Sequence, residues 1–214
     1  DDLEHTALTW RGPQWVGGHA PAWDRAGIGS LDSSLDDEAS MCFETAPFME
    51  PIEILGCPEV ELSVMSDRSV GMVAARLLTV SPTGETHLIC RGNRNLAFPG
   101  DLSVPVTLEP DTPVTVRFPL LAASAVISRG WRLRLALAGA DFPVVWPPGE
   151  RFALTVDPSS SRLLLPLVPP RSSTQDLNWH EAPPPPPPPT VATNSERTWT
   201  ISHEGSTTRF GRGI

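Results

Sequence analysis

The side chains that hydrolases use for nucleophilic catalysis occur in this sequence, but their spacing forms no known catalytic motif. The nucleophile of an α/β hydrolase sits in Gly-x-Ser-x-Gly, because the sharp turn that exposes the hydroxyl needs small neighbours. The nearest candidates are Ser30 in AGIGSLD and Ser206 in HEGSTT, and both lack the second glycine and a following helix. We interpret both as turn serines and assign no catalytic residue to this chain.

Histidine and carboxylate spacing gives little support for a metal site. The histidines are single and form no His-x-x-x-His pair that would hold a metal; they are His5, His19, His87, His180 and His203. The acidic stretch LDSSLDDE, which includes Asp32 and Glu38, offers oxygen ligands for calcium but lacks the spacing of a known calcium loop. We therefore expect neither a metal nor another cofactor.

The three cysteines, Cys42, Cys57 and Cys90, cannot all pair with one another and show no zinc-binding spacing. We expect free, buried thiols, which favours a cytoplasmic protein without establishing the compartment. Arg91 beside Cys90 would lower the pKa of a thiol and so activate it. The apolar run HLIC that ends at Cys90 instead favours a small buried side chain.

Length and charge limit the class of protein. The chain has 214 residues, of which 40% are hydrophobic and 19% charged, enough for one large domain or two small ones. A net charge of −9 argues against a nucleic-acid partner or an anionic membrane surface, because binding phosphate groups requires a local excess of basic residues. No run of about 18 apolar residues is present that would span a membrane.

From Met41 onward, the sequence is typical of short β-strands separated by turn residues at intervals of roughly ten residues. The candidate strands are MCFETA, EVELSVMS, VAARLLTV, ETHLICRG, PVTVRFPL, WRLRLALA, RFALTVD and SRLLLPLV. Two of them alternate apolar and polar residues, as half-buried strands do, with Val60, Leu62 and Val64 on one face and Leu133, Leu135 and Leu137 on another. We predict an all-β sandwich or jelly roll, with one short helix in PLLAASAVIS, residues 119–128.

Composition divides the chain into four regions. Residues 1–40 predict an N-terminal loop or linker, and residues 41–168 the β-sandwich with its long loops. Residues 169–196 predict a proline-rich spacer, since the seven prolines of 183–189 favour an extended polyproline II conformation. Residues 197–214 predict a C-terminal β-hairpin, which should return to pack on the sandwich because two strands alone are marginally stable.

One loop combines aromatic side chains with proline. Directly after WRLRLALA comes GADFPVVWPPG, which contains Phe142, Pro143 and Trp146. Prolines reduce the entropy that a loop loses when it docks, so the pattern favours an exposed contact surface. The alternative is that these side chains plug the end of the hydrophobic core.

Three segments resemble, in order, parts of one known family. They are FETAPFMEPIEILGCPEVELSVMSD (43–67), ARLLTVSPTGETHLICRGNRNL (75–96) and ISRGWRLRLALAGADFPVVWPPGE (127–150). They resemble the C-terminal non-catalytic domain of the X-Pro dipeptidyl-peptidase and cocaine esterase family of serine hydrolases, in its acyl-hydrolase branch. Trp131 stands where this family usually has histidine.

The resemblance implies a galactose-binding-like jelly roll that follows an α/β-hydrolase catalytic domain and borders its active-site entrance. The serine, aspartate and histidine of the family's triad have no matching positions here, so none is transferred. Phe142, Pro143 and Trp146 would then be docking or pocket-rim groups. The implied partner is the α/β-hydrolase catalytic domain, and association of identical chains is also expected.

Two other functions stay open on the sequence. A jelly roll of this type also resembles carbohydrate-binding modules, and the seven tryptophans would suit stacking on a glycan. An independent enzyme would have to hydrolyse a simple acyl ester without another domain, and we expect no such activity.

Overall fold

Strands make up nearly all the regular structure of the part of the chain described by the computed structural model, residues 8–10, 34–142, 144–169, 198–204 and 207–213. The elements in chain order are β1 (Leu8–Trp10), α1 (Ser34–Glu38), β2 (Met41–Glu44), β3 (Ile52–Gly56), β4 (Glu59–Ser66), β5 (Met72–Val80), β6 (Thr86–Asn95), β7 (Val114–Pro119), β8 (Ala123–Ile127), β9 (Arg132–Ala138), β10 (Leu154–Leu164), β11 (Thr198–Glu204) and β12 (Thr207–Gly213). Within these ranges no helix is long and apolar enough to cross a bilayer.

The chain divides into two units, Asp1–Pro170 and Arg171–Ile214. The first unit contains two four-stranded sheets whose strand pairs are all antiparallel. The β4 sheet has the order β1-β10-β4-β7, and the β5 sheet has the order β2-β9-β5-β6. Buried side chains of both sheets belong to one hydrophobic cluster, so the sheets face each other across a common core.

This architecture confirms the prediction of an all-β sandwich, while the jelly-roll connectivity stays a prediction. Along β4, Val60, Leu62 and Val64 are buried and their neighbours are half-buried, as the alternation predicts. Along β9, Leu133 and Leu137 are buried in the core. The period of two therefore identified the core face of both strands correctly.

The predicted helix at 119–128 is wrong, because the chain there forms β8. This strand pairs antiparallel with β3 over the five positions from Ile52↔Ile127 to Gly56↔Ala123. Its side chains alternate in exposure along the strand. Alanine favours a helix locally, but β3 was not among the predicted strands, and pairing with it overrides that weak local preference.

Other predicted elements differ in their bounds. RFALTVD and SRLLLPLV, predicted as two strands, belong to the single strand β10, whose register against β4 shifts between Asp157 and Arg162. Residues 1–40, predicted as loop, contain β1 and α1. Short elements of this kind carry too few residues to show a period in the sequence.

The second unit contains a β-hairpin, in agreement with the sequence. Strands β11 and β12 pair antiparallel from Thr198↔Gly213 to Glu204↔Thr207. The proline-rich segment 183–189 lies outside the described residues. Packing of the hairpin on the sandwich stays a prediction.

The outer face of the β5 sheet carries buried charge. Every residue of β5 is buried, including Arg76, which is only 2% exposed. Arg91 of β6 lies directly opposite Arg76 in the ladder and is also buried. Two buried cations side by side repel each other and lose hydration, so this face requires carboxylates nearby.

Three aspartates supply those carboxylates, and together with three arginines they form what we call the acid–arginine cluster: Asp36, Asp37, Asp141, Arg76, Arg91 and Arg134. The Arg76 Nη2 atom lies 3.0 Å from Asp37 Oδ1, and Arg134 Nη1 lies 2.7 Å from Asp37 Oδ2. The Arg91 Nη1 atom lies 2.9 Å from Asp141 Oδ1. The formal charges of the six groups cancel, which is the condition for keeping ions inside a protein.

Burial raises the pKa of both Asp37 and Asp141, while the neighbouring arginines oppose that rise. Water is largely excluded from these carboxylates, so their charged forms depend on the guanidinium partners. The cluster therefore joins α1, β5, β6, β9 and the loop that follows β9 through charge pairing.

A glycine allows the segment after β7 to cross closely over strand β6. A Cβ atom on Gly92 of β6 would lie 2.9 Å from the backbone oxygen of Pro119 and 2.9 Å from Leu120 Cδ2. The Leu121 N–H donates to the Arg91 carbonyl at this crossing. The segment after β7 can approach β6 only because this position has no side chain.

Replacing Arg76 by methionine should destabilise the chain strongly. Arg76→Met removes the buried guanidinium that lies against both Asp36 and Asp37 and leaves the cluster with an excess of negative charge. Breaking a buried ion pair from one side costs about 3–5 kcal/mol. Urea denaturation of the 214-residue chain measures the change in unfolding free energy. Arg117→Met is the matched control, because Arg117 forms an exposed pair with Glu59, and it should leave the unfolding midpoint near that of the wild type. Equal effects of the two substitutions would contradict the assigned role of the cluster.

Adding a methyl group at Gly92 should force the crossing apart. We expect Gly92→Ala to lower the unfolding free energy by about 1–3 kcal/mol, because a backbone oxygen cannot rotate out of the way. Gly100→Ala serves as the control, since a Cβ there meets no atom within 4 Å, and its effect should stay within about 0.5 kcal/mol. A neutral Gly92→Ala in urea denaturation would show that the crossing is less tightly packed than described.

Candidate docking loop

The loop after β9 is fixed at its base by Asp141. This side chain is 1% exposed, and its Oδ1 accepts a hydrogen bond from Arg91 Nη1. Its Oδ2 accepts a second hydrogen bond from Asn93 Nδ2, at 2.9 Å. Both carboxylate oxygens are therefore held by β6, and the backbone of the loop starts from a fixed point on the outer face of the β5 sheet.

A tight turn follows this anchor. The Val145 N–H donates to the Asp141 carbonyl at 2.9 Å, and these two residues form an antiparallel bridge. The bridge closes the backbone across residues 141–145. The next residue, Trp146, is followed by Pro147 and Pro148, whose rings restrict the backbone.

The structure brings together two of the three predicted site residues, Phe142 and Trp146. Phe142 is buried, whereas Trp146 is 74% exposed. Their ring centroids lie 5.6 Å apart at an interplanar angle of 62°, an edge-to-face contact. Pro143 lies outside the described residues. The loop therefore presents one large aromatic side chain above a buried one.

The remaining candidates for chemistry have other surroundings. The expectation of three buried thiols is wrong for Cys42 and Cys57, which are exposed, because Cys42 lies in the edge strand β2 and Cys57 in the connection between β3 and β4. Cys90 is buried, and desolvation raises its pKa to about 11. A thiol with such a pKa is almost entirely protonated near neutral pH, so Cys90 acts as a small hydrophobic side chain.

The acidic stretch and the histidines give no metal site in the described ranges, where no three His, Cys, Asp or Glu side chains converge to hold an ion. Asp36 and Asp37 lie instead against Arg76. His87 stacks on Trp131 with ring centroids 6.1 Å apart. Ser30, Ser206 and three of the other histidines lie outside the described residues, and His203 is described only as part of strand β11.

Sequence reasoning missed the residues that position the loop, namely Asp141, Arg91 and Asn93. A signal was present, because arginine is rarely buried without a partner and Arg91 directly follows the apolar strand run HLIC. The sequence did not show which residue would pair with this arginine. Asp141 lies 50 residues from Arg91 in the chain.

One family model and one known relative match the sequence of this chain. The family described as the X-Pro dipeptidyl-peptidase C-terminal non-catalytic domain matches residues 12–205. Cocaine esterase from Rhodococcus sp. (strain MB1 Bresler) is 26% identical over 108 residues, which cover 50% of this chain and 19% of that protein.

Solved structures show a similar fold. An alpha-amino acid ester hydrolase aligns with a TM-score of 0.65 at 20% identity, covering 76% of this chain and 32% of its own. An aminopeptidase from a marine sediment Thaumarchaeota archaeon aligns with a TM-score of 0.64 at 15% identity, covering 78% and 34%. A CocE/NonD family hydrolase from Staphylococcus aureus gives a TM-score of 0.55 at 15% identity, covering 76% and 33%.

This chain spans about a fifth of the length of cocaine esterase and about a third of the length of those solved chains. The family match extends over most of the sequence, from the N-terminal region through the sandwich to the hairpin. The chain therefore belongs to the family of X-Pro dipeptidyl-peptidase C-terminal non-catalytic domains.

Proposed function

We propose that this domain docks through Trp146 against an α/β-hydrolase catalytic domain of the same protein and borders the entrance to its active site. The observation that carries the proposal is the 74% exposure of Trp146 at the end of a turn whose base is a buried ion pair. Pro143 and Phe142 belong to the same contact, with Phe142 supporting the indole from below. Catalysis itself resides in the partner domain.

Energetics favours Trp146 as the centre of such an interface. Tryptophan is enriched among the few residues that dominate binding energy, because it buries a large area at small entropic cost. Contact between a large aromatic ring and water is unfavourable, so burying the ring in an interface is favourable. The closed turn 141–145 and the two following prolines fix the backbone before docking, which lowers the entropy lost on association.

The names of the relatives suggest the reaction of the complete protein. The ester hydrolase, the aminopeptidase and cocaine esterase are named for cleaving ester or peptide bonds. We infer that the complete protein hydrolyses an ester, an amide or an X-Pro peptide. Association of identical chains through this domain is a further part of the proposal.

Glycan binding is the alternative function, since an exposed indole also stacks on sugars. Among side chains that the structure describes, Trp146 is the one highly exposed tryptophan, while Trp131 is half-buried against His87. A single exposed ring gives a small platform for a glycan. A rigid single anchor fits a docking contact better.

The 214-residue chain should not turn over an acyl ester without its partner. We expect the rate of p-nitrophenyl acetate hydrolysis with this chain to equal that with the same molar amount of the chain unfolded in urea and diluted into the assay. Hydrolysis that saturates with substrate and disappears on unfolding would show instead that the domain is an enzyme in its own right.

Truncating Trp146 should weaken docking without unfolding the domain. We expect Trp146→Ala to weaken the association of this chain with the separately expressed catalytic domain roughly 30-fold, because an aromatic anchor is commonly worth 2 kcal/mol or more. Titration calorimetry measures the association, and urea denaturation of the chain should show a change within about 0.5 kcal/mol. Phe142→Ala should reduce both affinity and stability, because Phe142 is buried.

Leu102→Ala is the matched control, because Leu102 is 70% exposed but lies in the loop between β6 and β7. It should leave the association unchanged. Unchanged association of Trp146→Ala together with a clear loss of stability would mean that the ring plugs the core. Saturable binding of a glycan that quenches Trp146 fluorescence, with no effect on domain association, would support the carbohydrate-binding alternative.

A further inference from the structure

A gap separates the two four-stranded sheets beside the irregular part of β10. It has a volume of about 240 Å³, and eight of its twelve lining residues are apolar. Leu62 of β4 and Leu133 and Leu137 of β9 are fully buried there, while Leu135 and Leu163 are half-buried. The exposed residues Glu44, Thr45 and Arg162 also line the gap, so it is a groove with an apolar floor that opens to solvent on one side.

The irregular part of β10 is held in place by hydrogen bonds. The Ser161 hydroxyl donates to the Asp157 carbonyl at 2.6 Å and accepts from the Ser63 N–H at 3.1 Å. The Ser159 N–H and hydroxyl both donate to Asp157 Oδ1. These bonds fix residues 158–161 away from the regular ladder. The gap beside them is therefore preformed and does not depend on a loosely packed strand.

The charges around the gap are already neutralised. The Arg162 Nη2 atom lies 2.8 Å from both carboxylate oxygens of Glu61. Glu44 is paired with Arg132 and Arg134. The Thr45 hydroxyl accepts from the Leu133 N–H. A charged ligand would find no free counter-ion among these groups, so the surroundings favour a neutral molecule.

The size of the gap limits the ligand further. An apolar cavity of about 150 Å³ in a protein core stays dry and binds benzene. The groove of about 240 Å³ is larger and open on one side, and it has room for two fused rings against its leucine floor. We propose that the space between β4, β9 and β10 binds a neutral, apolar, bicyclic aromatic molecule of the size of naphthalene or indole. This inference is independent of the proposed docking function, because Trp146 does not line the gap.

Indole is a suitable probe, because it is neutral and has two fused rings. Titration of the ¹³C-methyl-leucine-labelled 214-residue chain with indole should shift the methyl resonances of Leu62, Leu133 and Leu135 in a saturable manner. The resonances of the exposed Leu102 and Leu121 should stay unchanged. The thermal unfolding midpoint should rise with indole concentration, because the ligand binds only the folded chain.

Filling the gap should abolish this binding. Leu135→Phe and Leu163→Phe each add volume at a half-buried lining position, and both should weaken indole binding by roughly tenfold or more, a change of 1.4 kcal/mol. Leu121→Phe adds the same atoms at an exposed position and should leave binding unchanged. Two substitutions on different sheets keep the test valid if one of them fails to fold. Absence of saturable shifts in the wild type, or equal affinity in all three folded variants, would overturn the proposal.

Discussion

The structure depends on the pairing of two buried arginines and the half-buried Arg134 with three aspartates on the outer face of the β5 sheet. Arg76 and Arg91 are direct neighbours across the ladder, so neither strand could pair there without carboxylates. Asp36 and Asp37 come from α1, before the sandwich in the chain, and Asp141 comes from the loop after β9. Charge neutralisation therefore determines where the helix and the loop lie, and it does so on the face that the hydrophobic core does not reach.

This constraint connects the fold to the proposed function. Asp141 uses one carboxylate oxygen for Arg91 and the other for Asn93, so the start of the loop cannot shift without breaking a buried ion pair. The closed turn that follows places Phe142 inward and Trp146 outward. An interface built on such an anchor resembles a preorganised contact more than a flexible loop that orders on binding. The ion pairing thus gives specificity of placement, even though buried pairs add little net stability.

The sequence allowed the sandwich and its core faces to be predicted, because an alternation such as that of β4 depends only on nearby residues. It did not allow β8 to be predicted, since the alanines of ASAVI favour a helix and the partner strand β3 lies about 70 residues away. The loop aromatics were identified from their composition and their neighbouring prolines. The residues that support the loop were not identified, because Asp141 and Arg91 lie far apart in the chain and come together only in the folded structure. The acidic stretch before β2 was considered as a source of calcium ligands, and in the described part of it Asp36 and Asp37 pair with arginine.

We propose above all that Trp146 lies in a contact with another domain of the same protein. Hydroxyl-radical footprinting tests it most directly, by comparing the oxidation rate of Trp146 in the 214-residue chain and in the complete protein by mass spectrometry. We expect the rate at Trp146 to fall several-fold in the complete protein, while the exposed Met49 reacts equally in both. An unchanged oxidation rate at Trp146 would contradict it.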